Sequence, residues 1–210
     1  MRVLITLFAR GGWVRAELAH WLAMQLVGAL GAQRDGEPTS APQVDDALVD
    51  ISPTDVARNH TIDAAVAFGF DCLLMVDHDT VPHDEFLPFA LAILEKNPAV
   101  DVVGAPYLGA APDHAVHVID GGGHVGNDER RTGVELVWGI GTGCMMIRLS
   151  GLAKMTPPYF KYAYANLSHT EAGTEDFEFC KWLRAGGGKI ACAWDFGATH
   201  HKNEAIEWPR

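Results

Sequence analysis

The sequence predicts an α/β fold built on one mostly parallel central sheet flanked by helices, and three observations carry that expectation. Through the first 105 residues, short apolar runs alternate with longer stretches whose apolar residues recur every three or four positions. The runs Val3–Phe8 and Cys72–Val76 are nearly continuous in apolar residues, as strands buried on both faces are. Glycine- or proline-bearing breaks, Arg10-Gly11-Gly12, the 31–46 stretch, Ser52-Pro53 and Gly69, separate several of these segments. A length of 210 residues fits one domain, 1–210, in halves of 1–105 and 106–210.

The elements follow in order. Val3 to Phe8 is a strand, broken by Arg10-Gly11-Gly12. Val14, Leu18, Trp21, Leu22, Leu26 and Ala29 share one helical face, so Val14 to Leu30 is expected to be helical. Residues 31–46 mix Gly, Pro, Ser, Asp and Gln and read as a loop, followed by a short strand over Ala47 to Ile51. Ser52-Pro53-Thr54-Asp55 starts a helix with proline in its first turn, and Gly69 stops it. Asp71 to Val76 is a strand, Asp84 to Glu95 a helix and Val100 to Ala105 a strand. Residues 107–135 hold two alternating stretches, Ala115–Ile119 and Val134–Val137, expected as a small β excursion turning near Gly121-Gly122-Gly123. Gly143 to Arg148 is a strand and 157–173 a loop rich in Tyr and Pro. Glu175 to Ala185 is a helix stopped by Gly186-Gly187-Gly188, and Lys189 to Trp194 is the last strand.

Composition excludes several classes of function. Sixteen Lys and Arg against 27 Asp and Glu give a net charge of −11, which disfavours a broad nucleic-acid-binding face. No stretch reaches the roughly 18–20 unbroken apolar residues of a membrane span. The first apolar run is too short for a secretory signal, so a cytoplasmic protein is expected. Cys72, Cys144, Cys180 and Cys192 form no C-x-x-C and are expected as reduced core thiols. The sequons Asn59-His60-Thr61 and Asn166-Leu167-Ser168 are then chance matches.

Four features carry chemistry. Asp77-His78-Asp79 directly follows a buried strand, where open α/β sheets bind ligands, and two carboxylates there can share Mn²⁺ or Mg²⁺ and through it a diphosphate. The bland alternative is turn capping. Glu175 and Asp176 open a helix, where acids either answer the helix dipole or serve as a base. Thr199-His200-His201-Lys202 follows the last strand and offers an imidazole as a further metal ligand and a lysine for a phosphate. Arg58, within the second helix, is either solvated or a fixed positive fork for a diphosphate.

In this order and spacing the motifs resemble those of the glycosyltransferases of the GT-A fold, over about residues 3–202. Leu73 to Asp79 looks like the D-x-D strand, Gly141 to Arg148 like the glycine-rich strand beside the donor sugar, and Glu175 to Gly187 like the acid pair with its following helix and R-x-x-G. The resemblance implies a Rossmann-like domain whose first half binds a nucleotide and whose second half binds an acceptor. It implies Asp79 and His200 as ligands of Mn²⁺ or Mg²⁺, with Asp77 on the metal or the ribose and His201 as the other histidine available. It places Thr6, Phe8, Arg58, Asp77, His78, Gly141, Gly143 and Lys202 at the nucleotide-sugar, a UDP-sugar by family. Thr174-Glu175-Asp176 looks like the triplet of the large inverting family that includes cellulose synthase, which makes Asp176 the general base with Glu175 beside it. The Q-x-x-R-W element of processive synthases is missing, so a single addition is implied, as in compact bacterial or phage-encoded enzymes.

Other readings stay open. The same fold could be a non-catalytic nucleotide-sugar or carbohydrate-binding module, a retaining enzyme acting on a modified DNA base, or a metal-dependent nucleotidyl- or phosphotransferase. The acceptor hydroxyl could belong to a glycan, a protein, a small molecule or a modified nucleobase. Gly139-Ile140-Gly141-Thr142-Gly143 misses the dinucleotide spacing, and His114, His117 and His124 lack the fourth ligand of a zinc site.

Overall fold

In a computed structural model of the protein, residues 1–9, 11, 13–34, 42–109, 116–121, 123–126, 129–164, 172–201 and 205–206 are described. The chain begins with β1 (Arg2–Phe8), α1 (Ala16–Arg34), β2 (Gln43–Val49), α2 (Thr54–Ala67), β3 (Cys72–Asp77), β4 (Thr80–Val81), α3 (Phe86–Lys96) and β5 (Val102–Gly104). Then come β6 (Val118–Asp120), β7 (Gly123–His124), β8 (Val134–Val137), β9 (Gly139–Ile140) and β10 (Cys144–Arg148). Last are β11 (Ala163–Tyr164), β12 (Ala172–Gly173), α4 (Glu175–Ala185), β13 (Ile190–Ala193), β14 (Thr199–His201) and β15 (Ala205–Ile206).

Seven strands form the central sheet in the order β2-β1-β3-β10-β5-β13-β8. β2, β1 and β3 are parallel, as are β5 and β13, while β10 and β8 run antiparallel to their neighbours. Side-chain alternation along β1 splits the core. Val3, Ile5 and Leu7 join Leu18 and Trp21 of α1 and Phe86 to Leu94 of α3 on one face. Leu4 and Phe8 join Ala57, Ile62 and Ala65 of α2 and Phe179 and Leu183 of α4 on the other. The register Phe8↔Val49 and Phe8↔Asp77 brings the carboxyl ends of β1, β2 and β3 level at one edge.

The expected fold class is the observed one, with local differences. α1 runs on to Arg34. β2 starts at Gln43, four residues before the expected strand, because it is an edge strand, only half-buried, that tolerates polar residues such as Gln43, Asp45 and Asp46. The excursion turns where expected, with β6 and β7 paired around Gly121 and β9 as a third strand. Val134–Val137, however, leaves the excursion and extends the central sheet beside β13. The loop at 157–173 contains the short ladder of β11 and β12. Gly69 ends α2 with φ of 72°, a conformation that suits glycine at a helix C-terminus.

The four cysteines are free and buried. Asn59 is committed to structure: its Nδ2 donates to the carbonyls of Asp55 (2.8 Å) and Phe160 (2.7 Å), and its Oδ1 accepts the Tyr159 and Phe160 N–H groups. The sequon at Asn166 lies outside the described residues. Among the described residues no helix is long and apolar enough to cross a membrane.

Candidate active site

The level carboxyl ends of β1, β2 and β3 open onto a cavity of about 420 Å³, a size suited to a small-molecule ligand. Phe8, Asp50, Arg58, Asp77, His78, Asp79, Tyr162 and Glu175 are among its lining residues. The turn after β3 projects the D-x-D carboxylates there because parallel strands end together and the chain must leave the sheet at that edge.

Arg58 reaches the cavity from the inner face of α2 and is only 2% exposed. Its Nη2 donates to Asp77 Oδ1 at 3.0 Å and its Nε to Glu175 Oε1 at 3.2 Å, and its guanidinium sits 4.9 Å from the centre of the Phe8 ring. Burial opposes the arginine's charge, but Asp77, Glu175 and Asp176 outweigh it and raise its pKa. Burial pushes the Glu175 carboxyl above its ordinary range, while Arg58 pulls it back. Arg58 Nη1 is buried with no hydrogen-bond partner among the described residues.

Asp79 and His200 meet across the β4–β14 pairing, where His200 is opposite Thr80. His200 Nδ1 lies 2.7 Å from the Leu108 carbonyl oxygen. A carbonyl can only accept, so Nδ1 carries a hydrogen, and Nε2 is turned toward Asp79 Oδ2, 3.6 Å away. With Nε2 unprotonated the two groups are facing acceptors that fit a cation between them, and the Leu108 carbonyl is the kind of partner that fixes a ligating imidazole. Among the described residues no group of three or more His, Cys, Asp or Glu side chains is gathered for a metal ion; Asp77 is turned to Arg58. His201 places its backbone N–H on the Asp79 carbonyl, so His200 is the ring paired with the Asp79 side chain.

The other expected residues divide. Glu175 and His78 line the cavity. Asp176 does not; it is 9% exposed, and its Oδ1 accepts the Phe177 N–H at 2.8 Å at the start of α4. Thr6 is fully buried in mid-sheet, away from the cavity wall. Gly141 and Gly143 are buried beneath Tyr107 and do not line the cavity. Lys202 and His114 lie outside the described residues. His124 approaches the Val116 carbonyl through Nδ1 and the Phe177 ring edge-on. The sequence reading passed over Tyr162, a cavity residue whose hydroxyl meets Thr54 and Glu175; its only signal was the tyrosine-rich loop around it.

No protein-family model matches the chain, and no curated protein matches it by sequence. Its structure is similar to that of A197 from STIV, at 19% identity and a TM-score of 0.66, covering 100% of this chain and 95% of that one. It is similar to S. aureus TarS 1-349, solved with UDP-GlcNAc, at 13% identity and a TM-score of 0.53, covering 94% of this chain and 57% of that one. It is also similar to GalNAc-T7, solved with UDP, GalNAc and Mn²⁺, at 8% identity and a TM-score of 0.53, covering 97% of this chain and 44% of that one. The chain thus spans about half the length of the latter two. The fold is the GT-A glycosyltransferase fold that the motif order implies.

Proposed function

We propose that the protein is a metal-dependent glycosyltransferase that moves one sugar from a nucleotide-sugar, a UDP-sugar by family resemblance, to an acceptor hydroxyl with inversion. The observation that carries this reading is the Asp79–His200 pair, 3.6 Å apart, with Asp79 lining the cavity that also holds Arg58 and buried His200 behind it. Asp79 and His200 would hold Mn²⁺ or Mg²⁺, which would supply Lewis acidity to a departing diphosphate. Asp77, fixed by Arg58, presents its remaining lone pairs to the ribose or to that cation. Phe8 offers a ring at the cavity wall, and the unpartnered Nη1 of Arg58 supplies positive charge beside it.

Asp176 is the proposed general base on the family resemblance; it lies beside the donor cavity at the start of α4, next to Glu175, which lines it. The Phe177 N–H orients its carboxylate, which takes the proton from the acceptor oxygen as that oxygen attacks the anomeric carbon. The bond from that carbon to the diphosphate oxygen breaks on the opposite face. Glu175 keeps Arg58 in place, a supporting role that its cavity position and ion pair both favour.

The test is thermal stabilisation by a panel of nucleotide-sugars with and without Mn²⁺. One donor is expected to raise the melting temperature only with the metal; at a hundredfold excess over Kd, binding adds about 2.7 kcal/mol. Asp79→Asn should remove the metal dependence, and Asp176→Asn should remove turnover of the donor while leaving its binding intact. If no nucleotide-sugar stabilises the protein in Mn²⁺, the proposal fails. Donor binding without turnover across acceptors identifies a binding module instead.

A further inference from the structure

The glycine-rich turn before β10 has a neighbour that the reading of it as a donor-sugar contact does not account for. Tyr107, which follows β5, is 4% exposed and lies directly over this turn. A Cβ added at Gly141 would collide with the Tyr107 hydroxyl and lie 2.9 Å from its Cζ. One added at Gly143 would lie 2.7 Å from Cζ and 3.0 Å from Thr80 Oγ1. Both positions are therefore closed to every other residue type as long as this ring is there. The Cβ side of both glycines is thus filled by one specific side chain.

The ring and its hydroxyl each touch a different half of the candidate site. The Gly143 N–H donates to Tyr107 Oη at 3.1 Å, and the Gly143 carbonyl accepts the Asp77 N–H at 3.1 Å. On its other side the ring packs edge-to-face with His200, with centroids 5.3 Å apart at 72°. His117 stacks on Tyr107 at 4.7 Å and 14° and meets His200 edge-on at 6.1 Å. The next residue in the chain, Leu108, supplies the carbonyl that holds His200 Nδ1. One dipeptide thus offers His200 Nδ1 a carbonyl and, through the Tyr107 ring, keeps the imidazole in the plane that meets it, so losing the ring lets the imidazole turn off that carbonyl. Side chains that orient a metal-binding histidine are commonly worth ten- to a hundredfold in metal affinity.

We infer that Tyr107 is a positioning residue that locks the His200 imidazole and the Asp77 end of β3 into one arrangement, and that Gly141 and Gly143 exist to admit its ring. The metal arm of this inference rests on the proposed cation site at Asp79 and His200; the tautomer arm does not.

The test compares wild-type protein with Tyr107→Phe, Tyr107→Leu and Phe86→Leu, the last a loss of comparable aromatic volume from the core on α3. First, without metal and at pH about 8.5, where an ordinary imidazole is neutral, nitrogen–proton correlation NMR reports the His200 tautomer, assigned with His200→Gln. Wild type, Tyr107→Phe and Phe86→Leu should show the single Nδ1–H form, and Tyr107→Leu a mixture. Second, calorimetric titration with Mn²⁺ alone should show affinity reduced about ten- to a hundredfold in Tyr107→Leu, less in Tyr107→Phe, and unchanged in Phe86→Leu. Third, Gly141→Ala should be strongly destabilising in the wild type and much less so combined with Tyr107→Leu, a coupling that only a direct clash produces.

An unchanged tautomer in Tyr107→Leu overturns the inference, as does a Phe86→Leu variant that loses Mn²⁺ affinity to the same degree. Wild-type protein that binds no Mn²⁺ overturns the cation site instead, and the tautomer and coupling results then decide the role of Tyr107 on their own.

Discussion

Replacing Arg58 with methionine tests the centre of the site, because the change keeps much of the stem and removes only the charged fork. In the wild type the fork holds Asp77 at 3.0 Å and Glu175 at 3.2 Å. Removing one partner from a buried ion pair costs about 3–5 kcal/mol, since the other charge stays buried without compensation. One term works the other way: the unpartnered Nη1 is no longer buried, which returns about 1–3 kcal/mol. The midpoints of the two terms leave an expected net loss of about 2 kcal/mol, or about 4–8 °C in Tm for a chain of this size. The loss should also depend on pH. Burial already raises the Glu175 pKa above 4.5, and Arg58 is the largest influence holding it down. Without Arg58 it rises further, so the folded variant binds a proton more tightly than the unfolded chain, and its stability grows as pH falls toward 4.5. The deficit against wild type should therefore be smaller at pH 5 than at pH 8, and adding Glu175→Gln should recover part of it at pH 8. Thermal unfolding at the two pH values reads all of this. A deficit below about 0.5 kcal/mol, or one equally large at pH 5 and 8, would refute the reasoning.

Two further outcomes concern stability away from the site. Burial pushes the Cys72 thiol up to about 11 and Cys180 up to about 12, so the native protein should not react with a disulfide reagent at pH 8 until it unfolds. The unfolded thiols ionise near 9.0 and these folded ones only well above, so stability should drop as pH rises above about 9, by ~1.4 kcal/mol per pH unit for each thiol until its folded pKa is reached. Asp101, 2% exposed, accepts both a short ion pair from Lys154 and the Lys189 N–H at 2.9 Å. Asp101→Ala should cost about 2–3 kcal/mol, read as a lower urea midpoint. The Lys154 end is a third exposed and can turn to water, which keeps the figure below that of a sealed pair.

The parts of this fold that were legible in the sequence are those that local pattern determines. The central strand Cys72–Asp77 is apolar because both its faces are covered, and α4 begins and ends where Thr174 and Gly186 put it. Val134–Val137 was placed in the excursion because it lies next to it in sequence; its true partner, β13, is more than fifty residues away, and nothing local encodes that pairing. The same limit applies at the site. Asp77, Asp79, Arg58 and Glu175 were all identified, but which acid of Glu175-Asp176 lines the cavity depends on the rotation of α4 against the sheet. Gly141 and Gly143 were assigned to the donor sugar by resemblance; that Tyr107 lies over them follows only from β5 and β10 being neighbours.

That neighbour relation also bears on how the chain is made. β3 and β5 are joined through β10 alone, which hydrogen-bonds to both and runs against both. A ribosome adding about 5–20 residues per second needs several seconds to travel from the end of β3 at Asp77 to the end of β10 at Arg148. Throughout that interval one edge of β3, carrying Leu73, Leu74, Met75 and Val76, has no strand to pair with. An unpaired apolar edge is a template for association between chains. The nascent chain is therefore most in need of a chaperone between the synthesis of Asp77-His78-Asp79 and the arrival of the strand that seals β3.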